Sequence, residues 1–281
     1  MLGAPSPTGA EDDRPAVLAK AAIVIQADAD DVVSNTDTVL YSHDSSERRA
    51  IASTTKMMTA YVAITHASVG RVLTVQPYTP APEETVAGLR AGQRLTVHDL
   101  LKAMLLPSGG DAAHTLAVDL GGSTERFVGW MNAAARRLGM RHTHYATPVG
   151  LDTPGNYSTA ADLARLAVVL MRDSTIVGIV GVHSARLTDG QVVVNHNDLI
   201  GRYPFVIGVK TGHTLDAGYC LVSAAQRGDA LLIGVVLDDP SEAMRDSDTL
   251  ALLHYGLTHY HRREPLPPPA LAQKGHATTT R

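Results

Sequence analysis

Apolar positions along the chain follow two periods. Residues 21–25 and 39–42 read as short strands. Residues 53–67 have helical character, with Met57, Tyr61 and Ile64 on one stripe. A short apolar helix is predicted over 99–106, where Pro107 stops it, and Asp111 caps another through Leu120. Ser123 or Thr124 caps a third, whose apolar positions Phe127, Trp130, Met131 and Ala134 recur at helical spacing, so Trp130 and Met131 read as core. A fourth spans 159–171. Then the period shortens: 191–195, 206–210, 219–225 and 231–237 read as strands, with a hairpin step at Gly228-Asp229, before a last helix over 241–259. The two early strands and three of the late ones predict one antiparallel sheet closed by both chain ends. The helices pack on its faces or form a separate lobe, an α+β arrangement.

Composition narrows the class. With 281 residues, 44% apolar and 19% charged, the chain can bury a sizeable core and is not a disordered sequence. Its 24 basic and 28 acidic residues leave a net charge of -4, which argues against a nucleic-acid binder. No apolar run approaches the roughly 18 residues needed to span a bilayer. Cys220 is the single cysteine, so no intrachain disulfide and no Cys-rich zinc motif can form. Residues 1–14 are rich in Pro, Gly and Asp and lack the apolar segment of a secretory leader; they read as a disordered start. Residues 262–281, with Pro267-Pro268-Pro269, read as a Pro-rich polar tail, which leaves 15–261 as one domain.

Three short motifs carry candidate chemistry. Ser53-Thr54-Thr55-Lys56 sets a hydroxyl and an amine three residues apart, one helical face. A serine hydroxyl becomes a nucleophile when a base takes its proton, and a lysine serves once burial or a neighbouring cation lowers its pKa. The helix start also offers backbone N–H groups to a developing oxyanion. This pattern alone arises by chance about 0.3 times in such a chain, and a surface lysine beside a capping serine would produce it. Lys210-Thr211-Gly212 is rarer, at roughly 0.04; it ends a strand, and a glycine there admits close approach of a ligand. Ser108-Gly109-Gly110-Asp111 falls between two helices, and by itself is a loop with a capping aspartate.

The order of the three is more specific than any one of them. With their flanks, Arg49-Ala50-Ile51-Ala52-Ser53-Thr54-Thr55-Lys56-Met57-Met58-Thr59-Ala60, Leu105-Leu106-Pro107-Ser108-Gly109-Gly110-Asp111-Ala112-Ala113, Gly150-Leu151-Asp152 and Lys210-Thr211-Gly212-His213-Thr214, the chain resembles the D-alanyl-D-alanine carboxypeptidases, the low-molecular-mass penicillin-binding proteins of peptidase family S11. The resemblance covers roughly residues 21–260. It implies a penicillin-binding/β-lactamase-like transpeptidase fold: an antiparallel sheet with helices on both faces plus a helical lobe. It implies that Ser53 forms an acyl-enzyme, with Lys56 as its base and Lys210 helping to keep Lys56 neutral. Ser108 would relay a proton to the leaving amine. Lys210 and Thr211 would hold the substrate carboxylate, with Arg245 assisting if it is not simply a solvated helix residue. Ser53 and His213 N–H would form the oxyanion hole. The implied substrate is a peptidoglycan stem peptide ending in D-Ala-D-Ala, with β-lactams as inhibitors and no cofactor. The implied location is extracytoplasmic, although 1–14 do not read as a leader.

Three departures stand out. The family's middle motif reads Ser-x-Asn, and Gly110 replaces the Asn that orients the lysine and binds the substrate backbone. Residues 28–35 look like an added loop. After Tyr260 about 20 residues remain, too few for the further C-terminal domain many members carry. A class A β-lactamase shares the motif set but uses a Glu after the middle motif, and none occurs between Glu125 and Glu242; Asp152 and Asp162 would be unorthodox substitutes. Glutaminases and esterases on this type of scaffold match the flanks less well. A non-catalytic muropeptide- or β-lactam-binding module remains open through Gly110. Among 13 histidines, the pairs His142/His144 and His259/His261 lack a third ligand, so no metal site is expected.

Overall fold

A computed structural model describes residues 13–27, 37–82 and 84–260. The expected loop at 28–35 and tail from residue 262, and nearly all of the expected N-terminal segment, lie outside them.

Five strands form one antiparallel sheet: β1 (Ala21–Ala27), β2 (Thr38–His43), β7 (Val206–Thr214), β8 (Gly218–Arg227) and β9 (Ala230–Asp239), in the order β2-β1-β9-β8-β7. Chain start and chain end therefore meet at the sheet centre, with Val24 opposite Gly234. Successive side chains point to opposite faces, and here both faces are buried. In β1, Ala21, Ile23 and Ile25 face one core while Ala22 and Val24 face the other; β8 divides the same way, with Cys220, Val222 and Ala224 against Leu221 and Ala225. This explains why these strands read as apolar runs rather than clean alternations.

Helix α7 (Glu242–His259) covers one face. Its buried positions 245, 248, 249, 252, 253 and 256 follow the helical repeat, and Gly256 lets it settle on β1 and β9, where a Cβ would stand 3.1 Å from Leu232 and Val24. On the other face lies α5 (Ala160–Leu170); α1 (Lys56–His66) packs on it and, with α2 (Val97–Leu105), α3 (Gly110–Gly121) and α4 (Thr124–Arg137), forms a helical lobe. The starts of α2, α4 and α5 obey their capping residues: Thr96, Ser123 and Thr159 each accept the N–H three residues on. Phe127 and Met131 are fully buried and Trp130 partly so, stacked on His66.

Several details differ from the periodicity. Helical character over 53–67 begins as a 3-10 turn, Ala52–Thr55, before α1. Gly109, not Asp111, is the cap of α3, because Gly110 is already helical. The stretch 191–195 holds only β6 (Val192–Val194), paired with β5 (Ser184–Arg186) in a ribbon apart from the main sheet. β7 runs through Lys210-Thr211-Gly212 instead of ending there, since the ladder to β8 continues from Gly212–Cys220 to Thr214–Gly218. The short pair β3 (Val72–Thr74) and β4 (Arg94–Thr96), and helix α6 (Ser174–Val180), span too few residues to show a period. Among the described residues no helix is long and apolar enough to cross a membrane.

Gly150 closes the wall opposite β7. Its φ is +86°, and a Cβ would stand 2.7 Å from the Ala52 carbonyl carbon and 3.0 Å from Thr55 Cβ. Gly150→Ala should therefore lower stability by about 2 kcal/mol or more, from backbone strain and steric conflict together. Urea denaturation reads this directly; an unchanged midpoint would mean that the 3-10 turn has room to move.

Candidate active site

The 3-10 turn at 52–55 sets the first side chains. In such a turn, residues i and i+3 eclipse, so Lys56 stands over Ser53. Lys56 Nζ donates to Ser53 Oγ at 2.9 Å and to the Val149 carbonyl at 2.6 Å. The turn is tied down on both flanks. Thr54 Oγ1 donates to Ile51 O at 2.6 Å, Asn156 Nδ2 donates to Thr55 Oγ1 at 3.1 Å, and Thr59 Oγ1 donates to Pro148 O at 2.7 Å. Ala52 has φ +45°, in the left-handed region an alanine avoids. Such strain is held by surrounding contacts and often marks a working site.

β7 forms the second wall. A Cβ on Gly212 would stand 3.0 Å from Ser53 N, 3.1 Å from Thr54 N and 3.1 Å from Ala52 Cβ. A side chain there would crowd the serine turn and force it to shift by a few tenths of an ångström. Lys210 is 1% exposed, and its Nζ donates to Thr211 O at 2.9 Å. Thr211 is buried, while His213 is exposed with its ring stacked on Tyr219.

The third wall is the 108–111 segment. Ser108 is buried with φ +65°, a second left-handed non-glycine residue. Gly109 N–H donates to Ala103 O at 3.1 Å, and Gly110 N–H donates to Thr85 O at 2.9 Å. Asp111 does not cap its helix from outside. Its carboxylate accepts N–H from Ala112 and also from Ala87 and Leu89, each at 2.9 Å, and so fixes the irregular chain before α2.

These walls enclose an open cleft of roughly 390 Å³, lined by Ser53, Ser108, Thr211, Gly212, His213 and Arg245, with Lys56 and Lys210 buried beside it. Gly110 is buried next to Ser108. Every candidate from the three motifs is thus brought to one place. Arg245 is not a solvated helix residue: it is 3% exposed. Its Nη2 lies 2.7 Å from Asp246 Oδ1 and 3.1 Å from Glu242 Oε1, so it reaches the cleft already paired.

Burial dominates the electrostatics. It pulls the Lys56 pKa down to about 8, against the charges of Glu84 and Asp111, which favour the ammonium. Lys210 is held well below the lysine range, by burial first and then by repulsion from Lys56 and Arg245. The carboxylates of Glu84 and Asp111 act on Lys56, and the guanidinium of Arg245 acts on Lys210.

The cleft also contains Tyr219, and residues that no motif pointed to: Thr85, Asn195, His196, Asp198 and Glu242. Asn195 and His196 arrive because His196 N–H donates to Leu106 O at 3.0 Å, which ties the β6 ribbon to the Ser108 segment. No periodicity or spacing marks such a contact. Asp152 instead accepts the Asp216 N–H, and Asp162 accepts the His142 N–H and the Thr143 hydroxyl; neither lines the cleft. Among the described residues, no group of three or more His, Cys, Asp or Glu side chains is placed to hold a metal ion.

Residues 8–241 match the family described as D-alanyl-D-alanine carboxypeptidase, Peptidase S11. The chain is 34% identical over 251 residues to the D-alanyl-D-alanine carboxypeptidase DacF of Bacillus subtilis, covering 86% of this chain and 63% of that protein. It is 36% identical over 244 residues to a D-alanyl-D-alanine carboxypeptidase of a Streptomyces species, covering 79% of this chain and 84% of that one. In structure it is similar to the Streptomyces DD-transpeptidase, with TM-score 0.78 and 34% identity over 87% of this chain and 99% of that chain. It is also similar to ampicillin-bound penicillin-binding protein D2 from Listeria monocytogenes, with TM-score 0.76 and 30% identity over 86% and 98%. The chain spans less than two thirds of the Bacillus relative. The α+β fold, with helices on both sheet faces and a helical lobe, is that of these penicillin-binding structures.

A lysine whose pKa is lower folded than unfolded penalises the folded state while it must carry its proton. The penalty is full below about pH 8 and is relieved as pH rises toward 10.5. Lys56→Met should therefore exceed the native sequence in stability by about 2 kcal/mol at neutral pH. The advantage should shrink between about pH 8 and 10.5. Urea denaturation at both ends of that window measures it; an advantage constant with pH would contradict a depressed Lys56.

Proposed function

The chain belongs to the D-alanyl-D-alanine carboxypeptidase family, peptidase family S11, and from that premise we propose that it removes the terminal D-Ala of peptidoglycan stem peptides through an acyl-enzyme on Ser53. The proposed catalytic domain is 15–261. Lys56 Nζ, in its neutral form, takes the Ser53 proton as Oγ bonds to the carbonyl carbon of the penultimate D-Ala. The carbonyl oxygen gains charge and is received by the N–H groups of Ser53 and His213. The C–N bond then breaks, and Ser108 relays the proton to the departing amine. Water attacks the resulting ester, which releases the shortened peptide and restores the Ser53 hydroxyl. The substrate's terminal carboxylate is held by Lys210 and Thr211, with Arg245 beside them. An arriving carboxylate favours the charged form of Lys210, offsetting part of the depression that burial imposes.

The 2.9 Å contact between a fully buried Lys56 and Ser53 supports this most directly. A lysine poised near pKa 8 is a competent base at neutral pH, whereas an ordinary surface lysine is not. The walls of the cleft agree with the roles: a left-handed Ser108 turned into it and a Gly212 that admits close backbone approach. β-Lactams would acylate the same serine. Such a peptide substrate lies outside the cytoplasmic membrane, so the proposal includes an extracytoplasmic site of action.

Intact-mass spectrometry after incubation with benzylpenicillin tests the reading. One adduct per chain is expected on the native sequence and none on Ser53→Ala. Lys56→Ala should lose acylation at neutral pH by about a hundredfold or more, and the native rate should rise with pH through about 8. Cys220→Ser should acylate normally, since that thiol is buried in the sheet with its Sγ against Ala217 O. A short-lived adduct with rapid penicillin loss would point instead to a β-lactamase. No adduct with penicillin intact would favour a binding module, the reading that Gly110 keeps open.

A further inference from the structure

Gly110 has no side chain, yet the space beside it is filled. A Cβ on Gly110 would strike Glu84: the carboxylate Oε1 lies within overlap, Cδ at 2.9 Å and Cγ at 3.4 Å. Glu84 is held there. The Tyr78 hydroxyl donates to Oε1 at 2.6 Å and the Ala81 N–H donates to Oε2 at 3.0 Å. Tyr78 in turn packs on the His114 ring of α3, with centroids 4.8 Å apart. The backbone around Glu84 is fastened to the start of α3 by Gly110 N–H on Thr85 O and by Asp111 on Ala87 and Leu89. A stretch without helix or strand thus delivers one carboxylate to a defined place beside the catalytic cleft, and that carboxylate acts electrostatically on Lys56.

We propose that Glu84 is a positioning residue for Lys56, seated in the niche that the missing side chain of Gly110 leaves open. The two residues are then a matched pair: any side chain at 110 displaces the carboxylate, and without Gly110 there is no room for Glu84. The negative charge of Glu84 favours the Lys56 ammonium against the burial that opposes it. The proposal rests on Lys56 being the base for Ser53. Lys56 is faced by Glu84 and Asp111, with Lys210 on β7 and Arg245 behind it on α7; Glu84 is faced by Tyr78 and His114.

The test is the pH profile of benzylpenicillin acylation for the native sequence, Glu84→Gln, Glu84→Ala, Gly110→Asn and the double variant Glu84→Ala/Gly110→Asn. Thermal melts correct each for the folded fraction. Glu84→Gln should lower the plateau rate about tenfold and move the midpoint to lower pH, because the charge that favoured the Lys56 ammonium is gone. A role in folding alone would change the amount of active protein without moving that midpoint. Gly110→Asn should lose acylation, and removing Glu84 in the double variant should restore it by about tenfold or more. A native midpoint and plateau in Glu84→Gln would overturn the proposal, as would a double variant no better than Gly110→Asn. If Gly110→Asn does not fold, the Glu84→Gln profile decides alone. The Lys56 Cε resonance, followed by NMR against pH, must show the same acid shift in Glu84→Gln. It needs no acylation, so its absence overturns the role of Glu84 even where the native protein forms no adduct, and its presence there would fault only the catalytic reading.

Discussion

Everything at the cleft depends on how closely a strand approaches a turn. β7 passes the 3-10 turn carrying Ser53 so closely that a Cβ on Gly212 would crowd it. On the far side Gly150 meets the same turn more tightly still. The turn is therefore clamped between two bare backbones, one from the sheet and one from the helical lobe. That clamp holds Ala52 in the left-handed region and fixes the direction of Ser53. A site built on loops alone would lack this rigidity. Here it is supplied by a strand buried in a two-sided sheet and by a helix whose stripe is packed in the core.

Two lysines buried within one site are the electrostatic consequence. Neither would be tolerated in a core for its own sake, because burial disfavours the ammonium. Their surroundings divide them. Glu84 and Asp111 act on Lys56 from one side, while Arg245 acts on Lys210 from the other. Burial lowers both pKa values, and an anion bound beside Lys210 would favour its charged form. Burying both lysines costs stability, and shifts of this kind are common where side chains carry chemistry. Arg245, already paired with Asp246 and Glu242, adds positive charge without becoming an unpaired buried cation.

Much of this was legible from residue order. Apolar runs in β1, β8 and β9 identified buried strands, and capping residues identified the starts of α4 and α5. The order of the three motifs, with their flanks, carried the family resemblance. These features are local: a period, a cap or a three-residue step is complete within one turn of chain.

Other features exist only because distant segments meet. β7 continues through Lys210-Thr211-Gly212 because β8 pairs with it, and β6 leaves the main sheet because β5 is its partner. Asn195 and His196 reach the cleft on a segment tied to His183 and Leu106 by backbone hydrogen bonds. Gly110 looked like a lost side chain when read along the motif; in three dimensions its niche is occupied by Glu84, 26 positions earlier in the chain. The chain order determined which chemical groups this protein owns and which elements carry them. Tertiary packing decided which groups share a cleft, how deeply each lysine is buried and which carboxylate stands beside which amine, since proximity and desolvation arise only when segments remote in sequence exclude water together.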